Sequence, residues 1–259
     1  MIVSDPVKIS VVTAVYNRAA TVGDTLSTVS FQDYPLVEHI VQDGGSNDGT
    51  LDTIAGHPNT SALLMSEHDR GIYDAINKGM SRATGDVVGL LHSDDVFADE
   101  GVLSRVAEAF ADPDIDCIYG DLQYVSASDT TRVIRHWTSG PFNRSNLKRG
   151  WMPPHPTFYI RRQLLERHGG YDTSFEIAAD YDAMLRWLWC HRLRPAYLPG
   201  VMVKMRMGGE SNRSLGRILC KSREDYRALR RNGVGGIGTL ALKNLSKINQ
   251  FKPSKTQGQ

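Results

Sequence analysis

Cysteine is scarce in this chain of 259 residues: Cys117, Cys190 and Cys220 stand far apart and follow no paired or metal-ligand spacing. That argues against a disulfide framework or a cysteine zinc site, and three inert thiols suit a reducing compartment. Long hydrophobic runs are missing as well. No window of about 18 apolar residues can serve as a membrane span, and Met1 to Val7 lacks the basic start and apolar core of a secretory signal. The chain is therefore expected neither to be exported nor to cross a bilayer. Several signatures of other enzyme classes are also absent. No Gly-Lys-Ser/Thr closes a glycine-rich loop, which speaks against a P-loop. The apolar run ending at Val15 leads into Tyr16-Asn17-Arg18 and not into Gly-x-Gly-x-x-Gly, against a nicotinamide or flavin enzyme. No Gly-x-Ser-x-Gly elbow supports a Ser-His-Asp hydrolase. His39, His57, His92, His136 and His191 share no spacing with carboxylates that would mark zinc.

What is present is an ordinary globular composition, 41% hydrophobic and 23% charged. The net charge of +1 hides an asymmetry. Residues 211–259 hold eleven Lys and Arg against Glu224 and Asp225, a local +9 that leaves the preceding residues at −8.

Ile9 to Val15 is short, β-branched and nearly continuous, and a helical pattern follows through Leu26, Val29 and Ser30. This strand-helix unit recurs. His39 to Val41 precedes Leu51 to Ala55, Ala62 to Met65 precedes Ile72 to Ala83, and Val87 to Leu91 precedes Val102 to Phe110. Four units in about 110 residues predict an α/β fold with a doubly wound, mostly parallel sheet flanked by helices. Cys117 to Tyr119 is read as a fifth strand closing this half, residues 1–121. From Leu122 the rhythm changes. Strand-like Gln123 to Val125 and Arg132 to Ile134, the Pro-rich stretch 151–156, and helices near 163–168 and 180–190 make a second half, residues 122–210, expected to pack against the first. Residues 211–259 are expected as a basic helical extension broken by Gly233 to Gly238, its end disordered from Lys252.

Ligands of such sheets bind beyond the carboxyl ends of the strands. Here those crests carry Tyr16-Asn17, Asp43-Gly44-Gly45, Glu67-His68-Asp69 and Ser93-Asp94-Asp95, three of them acidic. Adjacent carboxylates such as Asp94 and Asp95 suit a hard divalent ion that also takes diphosphate oxygens, or else cap the next helix. Asp43 begins a glycine-rich turn and can accept from a base N–H, or it belongs to a plain turn. Arg70 and Lys78 can neutralise diphosphate charge at a helix start, or lie solvated. Asp180, at the start of the last long helix before residue 210, is a candidate general base or an N-cap. His155, between prolines, positions an acceptor or merely packs.

Taken together, these segments resemble glycosyltransferase family 2, inverting enzymes with a GT-A fold, from about Lys8 to Met207. The resemblance rests on six segments in order: 13–17, 43–50, 69–79, His92-Ser93-Asp94-Asp95, His155 to Phe158 and Ala179 to Asp182. The segments 69–79 and 178–182 look closest to bacterial members that build colanic-acid-type and other surface polysaccharides. The resemblance implies that Ala14, Tyr16 and Asn17 line the nucleotide and that Asp43 contacts its base. Asp69, Arg70 and Lys78 would surround ribose and diphosphate. Asp94, with Asp95 beside it, would hold Mn²⁺ or Mg²⁺, and Asp180 would be the catalytic base. Three departures stand out: His92 replaces a frequent Asp, Ala179 replaces a frequent Glu, and Met205-Arg206-Met207 offers no histidine.

The implied function is transfer of a hexose or deoxyhexose from a UDP-, GDP- or dTDP-sugar to a glycan or lipid-linked glycan in the cytoplasm. Asp43 suits uracil and guanine alike, so the donor stays open. The basic extension, Arg213 to Arg231, either holds the enzyme to anionic lipid at the inner face of the membrane or covers the acidic domain. Nucleic acid binding is not expected, because the basic excess is confined to this tail. Two rivals differ in class. A transferase-like binding subunit without catalysis is disfavoured by the presence of both Asp94 and Asp180. A nucleotidyltransferase would need glycines and a basic residue directly after the first strand, and Ala14-Val15-Tyr16-Asn17-Arg18 lacks the glycines.

Overall fold

Ile9–Val15 forms the first strand, β1, and all seven of its residues are buried. A strand without a solvent face needs partners on both edges and cover on both faces. In the computed structural model, which describes residues 6–58, 61–208 and 215–250, β1 pairs in parallel with β2 (Val37–Asp43) and with β4 (Val87–Leu90). β3 (Leu63–Ser66) extends the sheet in parallel beyond β2. Alternation along β1 sorts its side chains between two layers. Val12 and Ala14 meet Ala75, Ile76 and Met80 of α3 (Ile72–Ser81). Ile9 and Val11 share the opposite face with α4 (Val102–Phe110). Val15 joins Val22 and Leu26 of α1 (Val22–Ser30) and Ile54 of α2 (Thr50–Ala55). The parallel strand-helix half is the one the sequence predicts.

The remainder departs from expectation. Cys117–Val125 is one nine-residue strand, β6, so the boundary expected at 121/122 falls inside it. The partner strand β9 (Pro195–Arg206) is shifted in register on either side of Asp121, with Leu198 opposite Gly120 and Val201 opposite Asp121. The extra residues Pro199 and Gly200 break the alternation that would have shown a continuous pair. The second half shares a core with the sheet, Tyr181 and Met184 lying in one cluster with Val12 and Leu90, but it does more than pack against it. It supplies strands to it. β8 (Tyr159–Arg161) lies antiparallel between β4 and β6, and β5 (Val96–Phe97) pairs with β9, giving the order β3-β2-β1-β4-β8-β6-β9-β5. β7 (Val133–Trp137) hangs antiparallel on β6. The helix expected over 180–190 is α-helical as Ala179–Leu185 and continues as a π-helical turn over Arg186–Cys190. With the short helices α5 (Arg144–Leu147) and α6 (Arg162–His168) before it, this helix is α7.

The basic extension folds back as α8 (Leu215–Arg231) and α9 (Ile237–Gln250). Ala228 and Leu229 of α8 are wholly buried in the same core as Tyr181 and Leu185. Arg213 and the residues from Lys252 lie outside the described residues. No described helix is long and apolar enough to cross a membrane.

Gly89 of β4 stands opposite Tyr159 of β8, and a Cβ there would strike the buried Tyr159 ring. Gly89→Ala is expected to lower stability by about 1–3 kcal/mol through overpacking. Urea denaturation checks this; an unchanged midpoint would mean that the ring can move aside.

Candidate active site

The donor-side residues gather at the carboxyl ends of β1, β2 and β3. Asn17 follows β1 with φ of 51°, a left-handed conformation that Asn tolerates better than most residues. From there its side chain accepts from the Asn47 N–H at 3.0 Å, while its own N–H donates to Ser46 Oγ at 2.8 Å. Arg18 N–H donates to Thr50 Oγ1 at 2.7 Å. The loop after β1 is thus stitched to the glycine-rich loop after β2. Asp43 organises that second loop. Its buried carboxylate accepts from the N–H groups of Gly45 (2.9 Å) and Ser46 (3.1 Å) and from the hydroxyls of Ser46 (2.5 Å) and Ser66 (2.6 Å). Burial alone would raise its pKa, but these bonds outweigh it and hold the carboxyl below its usual range. Contact with a base N–H would therefore have to share or replace one of them.

Gly44 separates Tyr16 from Asp69. A Cβ on Gly44 would strike the Asp69 carboxylate and touch the Tyr16 ring, so the glycine leaves space between them. The Tyr16 side chain is 57% exposed and offers a flat apolar face at the crest. Asp69 accepts from Gly71 N–H at 2.8 Å. Ala14, in contrast, is buried in the core, so only its backbone can serve a ligand. The two expected diphosphate cations already have partners. Arg70 pairs with Asp74 at 3.3 Å, and Lys78 donates to the His68 carbonyl at 2.7 Å while lying 3.8 Å from Asp74. Arg70 remains 82% exposed and can swing.

The acidic pair lies in the turn after β4. Thr21 Oγ1 donates to the Ser93 carbonyl at 3.0 Å and Thr25 Oγ1 to the Asp95 carbonyl at 2.8 Å, which fixes the turn against α1. Arg206, at the end of β9, braces it from the other side. Its N–H donates to Asp95 Oδ1 (3.2 Å), and its guanidinium to the Asp94 carbonyl (3.0 Å) and the Asp24 carboxylate (2.5 Å). The structure divides the pair. Asp95 is buried, its Oδ2 has no hydrogen-bond partner, and burial together with Asp94 pushes its carboxyl well above the usual range. Asp94 is half-buried, and among the described residues none hydrogen-bonds its side chain. An open carboxylate beside an orphaned buried oxygen fits a hard divalent cation. No group of three or more His, Cys, Asp or Glu side chains able to hold a metal occurs among the described residues, so diphosphate and water would complete its shell.

Asp180 stands across the site in the first turn of α7. His155 Nδ1 lies 3.4 Å from Asp180 Oδ2, and His155 Nε2 lies 2.9 Å from Nε2 of His92. Burial holds His155 down to about 4 and lowers His92 too, so near neutral pH both rings are neutral. The two histidine rings share one hydrogen bond, its direction set by their tautomers, and the Nδ1 edge of His155 faces the Asp180 carboxylate. Tyr73 donates its hydroxyl to the Ile177 carbonyl at 2.6 Å and sits 3.4 Å from Asp180 Oδ1, which also accepts from Tyr181 N–H at 2.8 Å. Burial would raise the Asp180 carboxyl, but His155 at the acid pH where it is charged, and Lys221, Lys243 and the Tyr181 N–H throughout, outweigh it and hold it below its usual range. Asp180 is therefore ionised, and a chain of contacts through His155 and His92 joins it to the acidic turn.

Residues 10–175 match the sequence profile of Glycosyl transferase family 2. The chain belongs to this family. An uncharacterized glycosyltransferase of Mycobacterium tuberculosis is 33% identical over 183 residues, covering 69% of this chain and 68% of that protein. Among solved structures, S. aureus TarS 1–349 in complex with UDP-GlcNAc superposes with a TM-score of 0.68 at 18% identity, covering 88% of this chain and 66% of that one. A mannosyltransferase from Pyrobaculum calidifontis in complex with GDP-Man and Mn²⁺ gives 0.64 at 20% identity, with coverage of 88% and 64%. The chain thus spans about two thirds of these two structures, and the shared fold is of the GT-A class.

The family match includes both histidines and the acidic turn but stops before Asp180 and Arg206. The bracing role of Arg206 has no marker in the sequence, where it stands between Met205 and Met207 in a stretch without a histidine. Tyr73 and Asn77 were hidden inside a segment read for its charges. Asn77 donates to the Tyr171 carbonyl at 2.7 Å and accepts from the Tyr171 N–H at 2.9 Å, so that face of α3 holds the chain that leads to α7. Their spacing from Tyr73 to Asn77, one helical turn, was the available signal. Arg206→Met should cost about 2 kcal/mol, the scale of hydrogen bonds to charged groups. Arg206→Lys should recover little of it, since an ammonium cannot make the same fork. Urea midpoints of both variants test this; a Lys variant as stable as the parent would contradict the fork.

Proposed function

We propose that this family 2 protein is an inverting, divalent-metal-dependent glycosyltransferase that moves a hexose or deoxyhexose from a nucleoside-diphosphate sugar to a hydroxyl of a glycan or lipid-linked glycan, in bacterial surface polysaccharide synthesis. The observation that carries the reading is the chain Asp180–His155–His92, which ties an ionised carboxylate to the turn bearing Asp94 and Asp95. Tyr16, Asn17 and Asp69 would receive the nucleoside, and the exposed Arg70 the diphosphate. Mn²⁺ or Mg²⁺, held by Asp94 with Asp95 behind it, would supply charge neutralisation at the diphosphate when bound. Asp180 takes the proton of the acceptor hydroxyl as its oxygen bonds to the anomeric carbon. The bond from that carbon to the diphosphate oxygen breaks on the opposite face, which inverts the centre. His155 lies against the Asp180 oxygen, and because burial leaves its ring neutral near pH 7 it carries no extra proton to give to the base.

The α8–α9 hairpin supports a place at the membrane. Leu219 is 72% exposed and Ile237 74%, and Leu242 and Leu245 are exposed as well. Arg223 and Arg230 meet no acidic partner among the described residues, whereas Arg217 faces Glu176, Arg227 faces Ser174 and Arg231 faces Asp172. Exposed leucines beside uncommitted arginines suit an anionic bilayer carrying a lipid-linked acceptor. Flotation should find the protein with phosphatidylglycerol vesicles at low salt and lose it with phosphatidylcholine; equal recovery with both would remove the electrostatic part.

Thermal unfolding with UDP, GDP or dTDP and Mn²⁺ tests the donor site. A ligand at 100 times its Kd stabilises by about 2.7 kcal/mol, and Asp94→Asn should abolish the part that requires Mn²⁺. Asp180→Asn should keep the full shift yet lose about 10²–10⁴-fold in turnover, the range for a general base. Binding without turnover in the parent protein would favour a non-catalytic nucleotide-binding subunit.

A further inference from the structure

The C-terminal extension reaches the site by a route that its basic character conceals. Glu224, one of only two acids among residues 211–259, turns its carboxylate to the segment just before Asp180. Oε1 accepts from Glu176 N–H at 2.8 Å, and Oε2 from Ile177 N–H at 2.8 Å and Ala178 N–H at 2.9 Å. These three donors precede α7 and have no backbone acceptor of their own. A carboxylate taking three N–H groups fixes the strand of chain that carries them. Ile177 is doubly held, because its carbonyl accepts from Tyr73, the residue beside Asp180 Oδ1. The second acid, Asp225, pairs with Lys243 of α9 at 2.7 Å with both side chains buried, and the Lys243 ammonium lies over the ring of Tyr181, the neighbour of Asp180. Lys243 also covers Gly150, close before the segment that bears His155. Both acids of the extension thus act on residues flanking Asp180.

We propose that α8 and α9 are positioning elements for Asp180, with Glu224 as the residue that sets where α7 begins and so where the base points. The inference rests on the reading of Asp180 as base and adds to it a requirement on a part of the chain beyond the matched family region, which ends at residue 175. Glu224 touches no reacting atom. Its loss should leave the donor side, built on β1 to β3, as it was.

The full chain with Mn²⁺ and its Glu224→Ala, Glu224→Gln, Glu224→Asp and Asp180→Asn variants provide the test. Amide hydrogen exchange reads the 176–178 donors directly, with β1 and β4 as the control for an intact fold. Turnover is read as nucleoside diphosphate released from a panel of UDP-glucose, GDP-mannose and dTDP-rhamnose. Glu224→Ala should speed exchange at 176–178 by about tenfold or more, the scale of a lost cap. It should also lower kcat by a similar factor with the donor KM within about twofold. Glu224→Gln keeps the size but only one acceptor oxygen and should fall between, and Glu224→Asp should recover part of both. Unchanged exchange at 176–178 in Glu224→Ala, or unchanged kcat alongside a dead Asp180→Asn, overturns the inference alone. A donor KM that rises as much as kcat falls would show general loosening and overturn it too. Turnover retained by Asp180→Asn would instead remove the base reading on which it rests.

Discussion

Asp180 carries a negative charge in a place that water scarcely reaches, and the surrounding structure is arranged to keep it charged. An isolated carboxylate so placed would take up a proton. His155 where it is charged, and Lys221, Lys243 and the Tyr181 N–H at every pH, reverse that tendency. Asp95 shows the opposite outcome for the same residue type. It has a single backbone donor, a carboxylate neighbour and an orphaned oxygen, and its pKa goes up. Two acids on either side of one site, pushed apart by their surroundings, is the pattern by which acid and base roles separate. Under the proposed function, the ionised Asp180 would receive the proton of a hydroxyl, and Asp95 would stand behind a cation held by Asp94.

The contact that joins them follows from strand register. β8 is the one strand that runs antiparallel between β4 and β6. Its pairing sets Val87 opposite Arg161 and Gly89 opposite Tyr159. Continued by three residues beyond Gly89, the same register sets His92 opposite Pro156, and His155 is next to it. The two histidines therefore meet because a strand from the second half is inserted beside the last strand of the first. Gly89 is what permits the insertion to be tight, since the Tyr159 ring occupies the room a side chain would need. A purely parallel sheet would have left His155 remote from the acidic turn.

The parallel half was legible because its central strands β1 and β4 are buried throughout and read as short continuous apolar runs, as in Ile9–Val15. Crest residues could then be found by position alone. The mixed half was not legible, because the cues that mark strands were broken where pairing shifts. Pro199 and Gly200 interrupt β9, and β8 is three residues long. Within the site, residue types were readable but their obligations were not. Asp43 reads either as a ligand contact or as part of a plain turn, and four close donors, three from its own loop and one from Ser66 of β3, already occupy it. Lys78 was read as a diphosphate cation and is tied to the His68 carbonyl. A sequence shows which groups can bond; which bonds are already made depends on loops that meet only in three dimensions.

Charge in the extension makes the same point with a different result. Eleven basic residues against two acids read as a surface meant for something negative. The two acids turn out to be the more constrained. Asp225 is buried against Lys243, and Glu224 is spent on three backbone donors of another element. Among the bases, Arg231 and Arg227 close onto the loop at 172–174, so only part of the positive charge remains outward. A segment whose few acids face inward and whose spare bases face outward can serve two purposes at once. Its inner face holds α7, and its outer face stays exposed, with Leu219 and Ile237 turned outward. If the outer face meets a bilayer, the base is held by the same hairpin that meets the surface, and the distance from membrane to Asp180 is fixed by two helices rather than by a flexible tether.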